Sequence, residues 1–218
     1  IDTKDFTWQT SLNYSFNKNE IDKLYNDLER VGNYFVGQSI NVIYTKRFGG
    51  IWQSDEAEIA KIYNAEPGDY KIIDRNRNNI IDDDDRDFVG QTTPQFFGSF
   101  SNTFKSHGFD LTIFLTYAGG HKIYNPFAYL DSYSPSANMS PDYYHNYWTP
   151  ERPSNKYPRL GSTNSQLYET DGMYQKGDYI RLKNLELGYT LPRNIANKVY
   201  ASNIRVYASV QNLSLIHI

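Results

Sequence analysis

Strict alternation over eleven residues is the feature that most limits what this chain can fold into. In "FTWQTSLNYSF", Phe6, Trp8, Leu12, Tyr14 and Phe16 fall on one side, while Thr7, Gln9, Ser11, Asn13 and Ser15 fall on the other. A period of two held this long describes an extended strand with two very different neighbours, because successive side chains point to opposite faces of a sheet. The same pattern returns in "FDLTIFLTY", with Phe109, Leu111, Ile113, Leu115 and Tyr117 opposite Asp110, Thr112 and Thr116; Phe114 alone is apolar on the polar side. It returns again in "NIRVYASVQN", with Ile204, Val206, Ala208 and Val210 opposite Arg205, Tyr207, Ser209 and Gln211.

Six strands are predicted, near 5–17, 41–52, 94–106, 109–118, 179–191 and 203–213. In the fifth the apolar phase switches at Lys183–Asn184, which predicts a bulge there or a passage from water into a greasier zone. The polar faces carry Ser, Thr, Asn and Gln and few charges. A soluble sandwich turns Lys and Glu outward, whereas the lumen of a membrane barrel tolerates neutral polar residues. Strands of about 9–11 residues cross a bilayer. Connections alternate in length: Ser106-His107-Gly108 is a tight turn, 119–176 is long, and 192–202 is short with room for a helical turn. The stretch 53–92 is long and opens with a predicted helix capped by Ser54. Long loops on one side and short turns on the other are the mark of an outer-membrane barrel. Segment 18–40 fits that parity poorly, because the scheme puts it on the short-turn side.

Composition agrees. There are 20 Tyr and 12 Phe beside only 2 Met, a bias toward pleated, half-buried surfaces, yet mean hydropathy is only −0.68. A net charge of −3 with dispersed Lys and Arg gives no pull toward nucleic acid. The absence of Cys excludes thiolate zinc sites and disulfides. No apolar run reaches the length of about 18 residues needed for a transmembrane helix, a test that barrel strands escape.

"DRNRNNIIDDDD" places oxygen donors at the spacing of a calcium loop: Asp74, Asn76 and Asn78 at alternate positions, the Ile80 carbonyl at the seventh, Asp82 at the ninth and Asp85 at the twelfth. Position six is Asn79 where Gly is usual, and Asp85 is shorter than the usual Glu. The competing reading is a solvated acidic turn. Its flanks, "PGDYKII" and "RDFVGQ", exclude the helices of an EF-hand. The second candidate is the aromatic loop that holds Tyr124, Tyr129, Tyr143, Tyr144, Tyr147, Trp148 and Tyr157, with Tyr124, Tyr143, Tyr144 and Trp148 as candidate contacts for a substrate or partner. Internal packing and a membrane-boundary belt are the competing readings. Enzymatic readings find no support: His107, His121, His145 and His217 lie far apart, and there is no H-E-x-x-H, no G-x-S-x-G and no phosphate-binding glycine loop.

The blocks "VGQTTPQFFGSFSNTFKSHGFDLTIFLTYAGGHKIYN", "YWTPERPSNKYPRL", "GDYIRLKNLELGYTLP" and "IRVYASVQNL" resemble, in order and spacing, the C-terminal barrel of SusC/RagA-type TonB-dependent outer-membrane transporters. "VGQSINVIYTKRFGGIWQSDEA" and "PGDYKIIDRNRNNIIDDDD" are similar to the segment of that family leading into its Asp-rich loop. The resemblance covers nearly the whole chain. It implies an all-β fold: part of an antiparallel transmembrane β-barrel of the plugged type with roughly 22 strands, long extracellular loops and short helices. It also implies nutrient import across a Gram-negative outer membrane, with oligosaccharide or peptide as substrate. A SusD-like surface lipoprotein would form the lid, and a TonB complex would act through an N-terminal plug upstream of this sequence. Residues 1–213 are expected to be partial barrel. "SLIHI" (214–218) departs from the family pattern and is expected to mark a truncation or a tail of doubtful origin. The alternatives are a soluble, calcium-stabilised β-sandwich that binds carbohydrate and a calcium-dependent hydrolase.

Overall fold

The computed structural model describes residues 1–125, 138–162, 167 and 169–217. The chain forms two compact units, one from residues 1–18, 93–121 and 176–218, the other from 19–92 and 122–175.

The first unit is one antiparallel sheet of five long strands. These are β1 (Phe6–Phe16), β8 (Phe96–Ser106), β9 (Phe109–Gly119), β12 (Tyr179–Thr190) and β13 (Arg205–His217), in the spatial order β1-β8-β9-β12-β13. Register carries the alternation across all of them. Leu12 opposes Phe100, Phe100 opposes Leu115, and Leu115 opposes Leu182; at the other end Phe104 opposes Leu111, which opposes Leu187, which opposes Val206's neighbour Ala208. One face is therefore apolar from edge to edge, and it is open: Leu12 is 69% exposed, Phe16 63% and Leu187 52%. The opposite face carries Gln9, Ser11, Ser99, Ser101, Thr103, Thr112, Thr116, Ser209 and Gln211. No second sheet covers the apolar face among the described residues of this unit, an arrangement that does not favour the sandwich alternative.

Three local devices hold this register. The hairpin β8–β9 turns on His107 (φ 50°) and Gly108 (φ 84°), the two left-handed residues that a tight hairpin requires. In β12 the pairing shifts between Leu182 and Asn184, so Lys183 is a bulge, and Ile180 and Leu182 stay on the face of Leu185, Leu187 and Tyr189 despite their opposite parity. Gly98 lies beneath Tyr117, whose hydroxyl crosses it to donate to the Asn13 carbonyl at 3.0 Å; a Cβ at Gly98 would run into both. Two polar residues, Thr10 and Asn102, oppose each other within the apolar face. Asn102 is buried and accepts the Trp8 indole N–H at 2.9 Å.

The second unit is built from the two long connections of that sheet. It contains β2 (Arg30–Val31) paired with β3 (Tyr34–Phe35), β4 (Val42–Lys46) paired with β7 (Arg86–Gln91), and β5 (Phe48–Ile51) paired with β6 (Tyr70–Ile72). Lys122–Tyr124 (β10) pairs with Tyr174–Lys176 (β11). Its core gathers Ile51, Tyr70, Trp148, Leu167 and Met173, and a smaller cluster joins Trp52, Ala60 and Ala65.

The expected barrel strand 41–52 is thus corrected. It is two short strands, interrupted at Arg47, whose register breaks between Phe48 and Gly50; Gly50 has φ 97°. Residues of both parities are buried along it, Ile43, Thr45, Lys46, Ile51 and Trp52, because Thr45 and Lys46 bond the Glu169 carbonyl and carboxylate at 2.6 and 2.8 Å. The correction removes the parity misfit: with 41–52 out of the sheet, all of 17–95 is one long connection, followed by a two-residue turn, a second long connection and a short one. The helix is also revised. Its first turn is 3₁₀ (Ser54–Glu56), α1 spans Ala57–Ile62, and Gln53 rather than Ser54 is the cap, exchanging hydrogen bonds with Glu56. β13 pairs with β12 through Ser214–His217, so the backbone of the expected tail continues the strand.

On the polar face Arg205 of β13 donates to Asp110 of β9 at 3.0 and 2.5 Å and to Glu186 of β12 at 2.7 Å, tying three strands together. It crosses β12 at Gly188, where a Cβ would lie 2.5 Å from Arg205 Nη2 and 2.7 Å from Asp110 Oδ1. Replacing Gly188 with Val is expected to expel the guanidinium and to lower the urea midpoint of the refolded full-length protein, by an overpacking cost of about 1–3 kcal/mol. Leu187→Ala in the neighbouring position leaves the Arg205 contacts intact and serves as the comparison.

Candidate functional site

The turn 74–85 winds on its own side chains. Asp74 Oδ1 accepts the Arg77 N–H at 2.6 Å and the Asn78 N–H at 3.3 Å; Oδ2 accepts the Asn79 N–H at 2.8 Å and the Tyr63 hydroxyl at 3.0 Å. Asn76 Oδ1 takes the Asn78 N–H at 3.0 Å and Asn78 Oδ1 takes the Ile80 N–H at 2.8 Å, so successive Asx turns curl the chain inward. Arg77 (φ 59°) and Asn79 (φ 66°) are left-handed, which places Asn at the position where a calcium loop turns sharply. Asp82 caps the 3₁₀ turn Asp83–Asp85 by accepting the Asp84 N–H at 2.9 Å, and donates its own N–H to Asp85 Oδ2 at 3.0 Å. Asp85 is 1% exposed, with Oδ1 accepting the Arg75 N–H at 2.8 Å, and it closes the loop onto its beginning.

All six sequence-predicted positions therefore belong to one curl, through different atoms. The side chains of Asp74, Asn76, Asn78, Asp82 and Asp85 accept N–H groups, while Ile80 contributes backbone and leaves its side chain 60% exposed. Desolvation pushes the Asp74 carboxyl up, but the Asn79 N–H, the Tyr63 hydroxyl and the Arg77 and Asn78 N–H groups outweigh it and hold the group below the ordinary carboxylate range. Desolvation and then the Asp74 hydrogen bond raise the Tyr63 hydroxyl.

For calcium the donors are right in kind and the backbone is right in shape. Four N–H or O–H donors already fill the roughly four lone-pair positions of Asp74, however. Among the described residues no three His, Cys, Asp or Glu side chains gather as a metal-holding group. A cation at Asp74 would have to displace one of those donors. Tyr63, which stacks on Trp52 with ring centroids 5.7 Å apart, was not a sequence candidate. Its only signal is its place at the end of the predicted helix, eleven residues before Asp74.

The aromatic loop separates into two groups. Ser140 caps α2 (Pro141–Asn146), accepting the Tyr143 N–H at 3.1 Å, which turns Tyr143 inward. Tyr143 is fully buried against Tyr157, and Trp148 is buried in the main core, with its indole N–H donating to Gln53 Oε1 at 3.0 Å. Gly68 (φ 91°) makes room for Trp148, since a Cβ there would lie 2.6 Å from the indole. The expectation that Tyr143 and Trp148 contact a substrate or partner is corrected on this ground: their ring faces are spent on the interior of the unit. Tyr124 and Tyr144 remain exposed, at 47% and 58%. Tyr129 lies outside the described residues.

No family model matches the sequence. Individual proteins do. The chain is 30% identical over 229 residues to TonB-dependent receptor P3 of Formosa agariphila, covering 98% of this chain and 22% of that protein. It is 27% identical over 224 residues to TonB-dependent receptor SusC of Bacteroides thetaiotaomicron, covering 97% of this chain and 21% of that one. A structure of the RagAB peptide transporter superposes on the whole chain with a TM-score of 0.77 at 22% identity, through 24% of its own chain. The RagAB peptide importer in its open-open state gives 0.76 at 21% identity. At this identity the structural matches show the fold: this chain has the antiparallel strand architecture of one stretch of those chains. It spans about a quarter or less of the length of each relative.

Proposed function

We propose that this chain, homologous along nearly its whole length to TonB-dependent receptors of the SusC type, forms part of the barrel wall of an outer-membrane nutrient importer. One observation carries the reading. A five-stranded sheet of membrane-spanning length keeps one face mostly apolar and exposed while the other is polar, its Arg205 paired with Asp110 and Glu186. In water that face would be a large aggregation-prone surface; in a bilayer it is the lipid-facing wall, with the polar face toward a lumen. On this reading the long connections 17–95 and 120–178 are extracellular loops and the turns at 107–108 and 192–203 are periplasmic. The importer would carry oligosaccharides or peptides, be covered by a SusD-like lipoprotein, and draw energy from a TonB complex acting on a plug domain. No catalytic step belongs to this reading.

Heat-modifiable mobility of the full-length protein in detergent tests the wall. The unboiled protein should migrate as a distinct compact band that shifts on boiling. A protein that is soluble without detergent and shows one mobility before and after boiling overturns the reading.

Calcium at the 74–85 turn is the second part of the proposal. The turn's oxygens and the left-handed Asn79 support it, and the ion would hold the extracellular loop in one conformation by closing its two ends. Tyr63 Oη is then the donor on Asp74 best able to swing away. Calorimetry on the full-length protein should show calcium binding that Asp74→Ala abolishes. Tyr63→Phe removes the competing hydrogen bond, worth about 1 kcal/mol, and should tighten binding roughly fivefold. Binding unchanged in Asp74→Ala would refute the site.

A further inference from the structure

The short connection from Leu191 to Ile204 holds a small helical element whose outer side is matched to nothing in its own unit. It starts after Pro192 with α3 (Arg193–Ala196), continues as a 3₁₀ turn through Asn197–Val199, and ends at Tyr200. Its inward contact is Ala196, which is buried. Ile195 and Val199, four residues apart and so on one side, are 46% and 62% exposed, and Tyr200 is 100% exposed. Tyr200 has φ 57°, the left-handed capping conformation that glycine fills by default and that a bulky residue rarely adopts. Its N–H bonds the Asn197 carbonyl at 3.2 Å, but its ring touches no residue that would offset the strained backbone. Arg193 and Lys198 are exposed, and neither has an acidic partner among the described residues.

This element joins the end of β12 to the start of β13. The Leu191 N–H bonds the Ile204 carbonyl at 2.9 Å and closes the connection immediately beyond Tyr189. The Tyr189 ring packs on Phe109 at 4.4 Å, so the aliphatic surface of β9 and β12 ends in an aromatic pair. Further along the chain come the exposed Ile195, Val199 and Tyr200, interspersed with Arg193 and Lys198, which have no acidic partner among the described residues. An aliphatic band, then aromatic rings, then an amphipathic basic turn is the order in which a phospholipid leaflet changes from hydrocarbon to phosphate.

We propose that residues 193–200 anchor the periplasmic end of the wall in the inner leaflet. Ile195, Val199 and Tyr200 enter the boundary between acyl chains and headgroups, and Arg193 and Lys198 bind the phosphates of anionic phospholipid. This rests on the barrel reading above. It adds a lipid-binding element, with named residues, in a connection that only has to join two strands.

The test places a nitroxide at Val199→Cys in the full-length protein, otherwise free of reactive cysteine, in phosphatidylethanolamine vesicles with and without phosphatidylglycerol. Collision with oxygen and with a water-soluble nickel chelate reports depth. The label should lie at the headgroup–acyl boundary, sink deeper when phosphatidylglycerol is present, and become several-fold more accessible to nickel when Lys198→Gln and Tyr200→Gly are added. A label as open to nickel as one at Tyr144→Cys overturns the anchor. A second label at Leu187→Cys separates the two levels: if it lies in hydrocarbon while position 199 lies in water, only the anchor fails; if it too lies in water, the barrel reading fails and takes the anchor with it.

Discussion

Everything else in the sheet depends on the register of β1-β8-β9-β12-β13. Side chains on a strand alternate with a period of two, so a slip of one residue in any pairing would carry a row of Phe and Leu onto the polar face and a row of Ser and Thr onto the apolar one. Backbone hydrogen bonds alone do not choose between these registers. The choice is made by features that occur once each: the left-handed His107-Gly108 turn, the Lys183 bulge, the Tyr117 hydroxyl lying across Gly98, and the Arg205 guanidinium crossing β12 at Gly188 to reach Asp110. The last two need glycine for the same reason. Groups from neighbouring strands occupy the space that a Cβ would fill, the Asn13 carbonyl and Tyr117 hydroxyl at Gly98 and the Arg205 guanidinium at Gly188.

Five of the six strands were legible in the sequence because one of their faces is apolar and the other polar, and alternation is the direct imprint of that difference. The bulge was legible too, since the apolar phase of β12 changes parity at Lys183. Segment 41–52 misled because "NVIYTKRFGGIW" is apolar and β-branched enough for a strand, and it does form strands; what composition hides is that Thr45 and Lys46 find buried partners on the segment around Glu169, far along the chain. The aromatic loop was ambiguous for a related reason. A Tyr whose ring meets a ligand and a Tyr whose ring fills a loop core are the same letter, and only the Ser140 cap and the space left by Gly68 show that Tyr143 and Trp148 turn inward. Trp8 and Asn102, a hydrogen-bonded pair within the apolar face, had no sequence signal because Asn102 reads simply as an interruption.

The acidic turn is the clearest case of spacing that dictates shape. Alternate Asp and Asn residues are what a calcium loop needs, and they are also what successive Asx turns need, since in both the side-chain oxygens point toward the centre of a curl. The positions were therefore readable from sequence, while the hydrogen bond from Tyr63 was not, because it arrives from the preceding helix. That bond links the turn to the Trp52–Tyr63 stack and thereby to the packing of the unit. A loop of this kind can be closed by protons on nitrogen or by a cation, and the energetic difference between the two lies in what Asp74 must release.

The claim at the centre is that the two faces of the sheet meet lipid and water. Single cysteines placed along β9 of the full-length protein in native outer membrane, at Leu111, Thr112, Ile113, Leu115 and Thr116, measure this directly through reaction with a water-soluble maleimide. Positions 112 and 116 should react and 111, 113 and 115 should be protected, with a period of two that disappears when the membrane is dissolved. Equal labelling at all five positions, or protection at 112 and 116 with reaction at 111, 113 and 115, would contradict it.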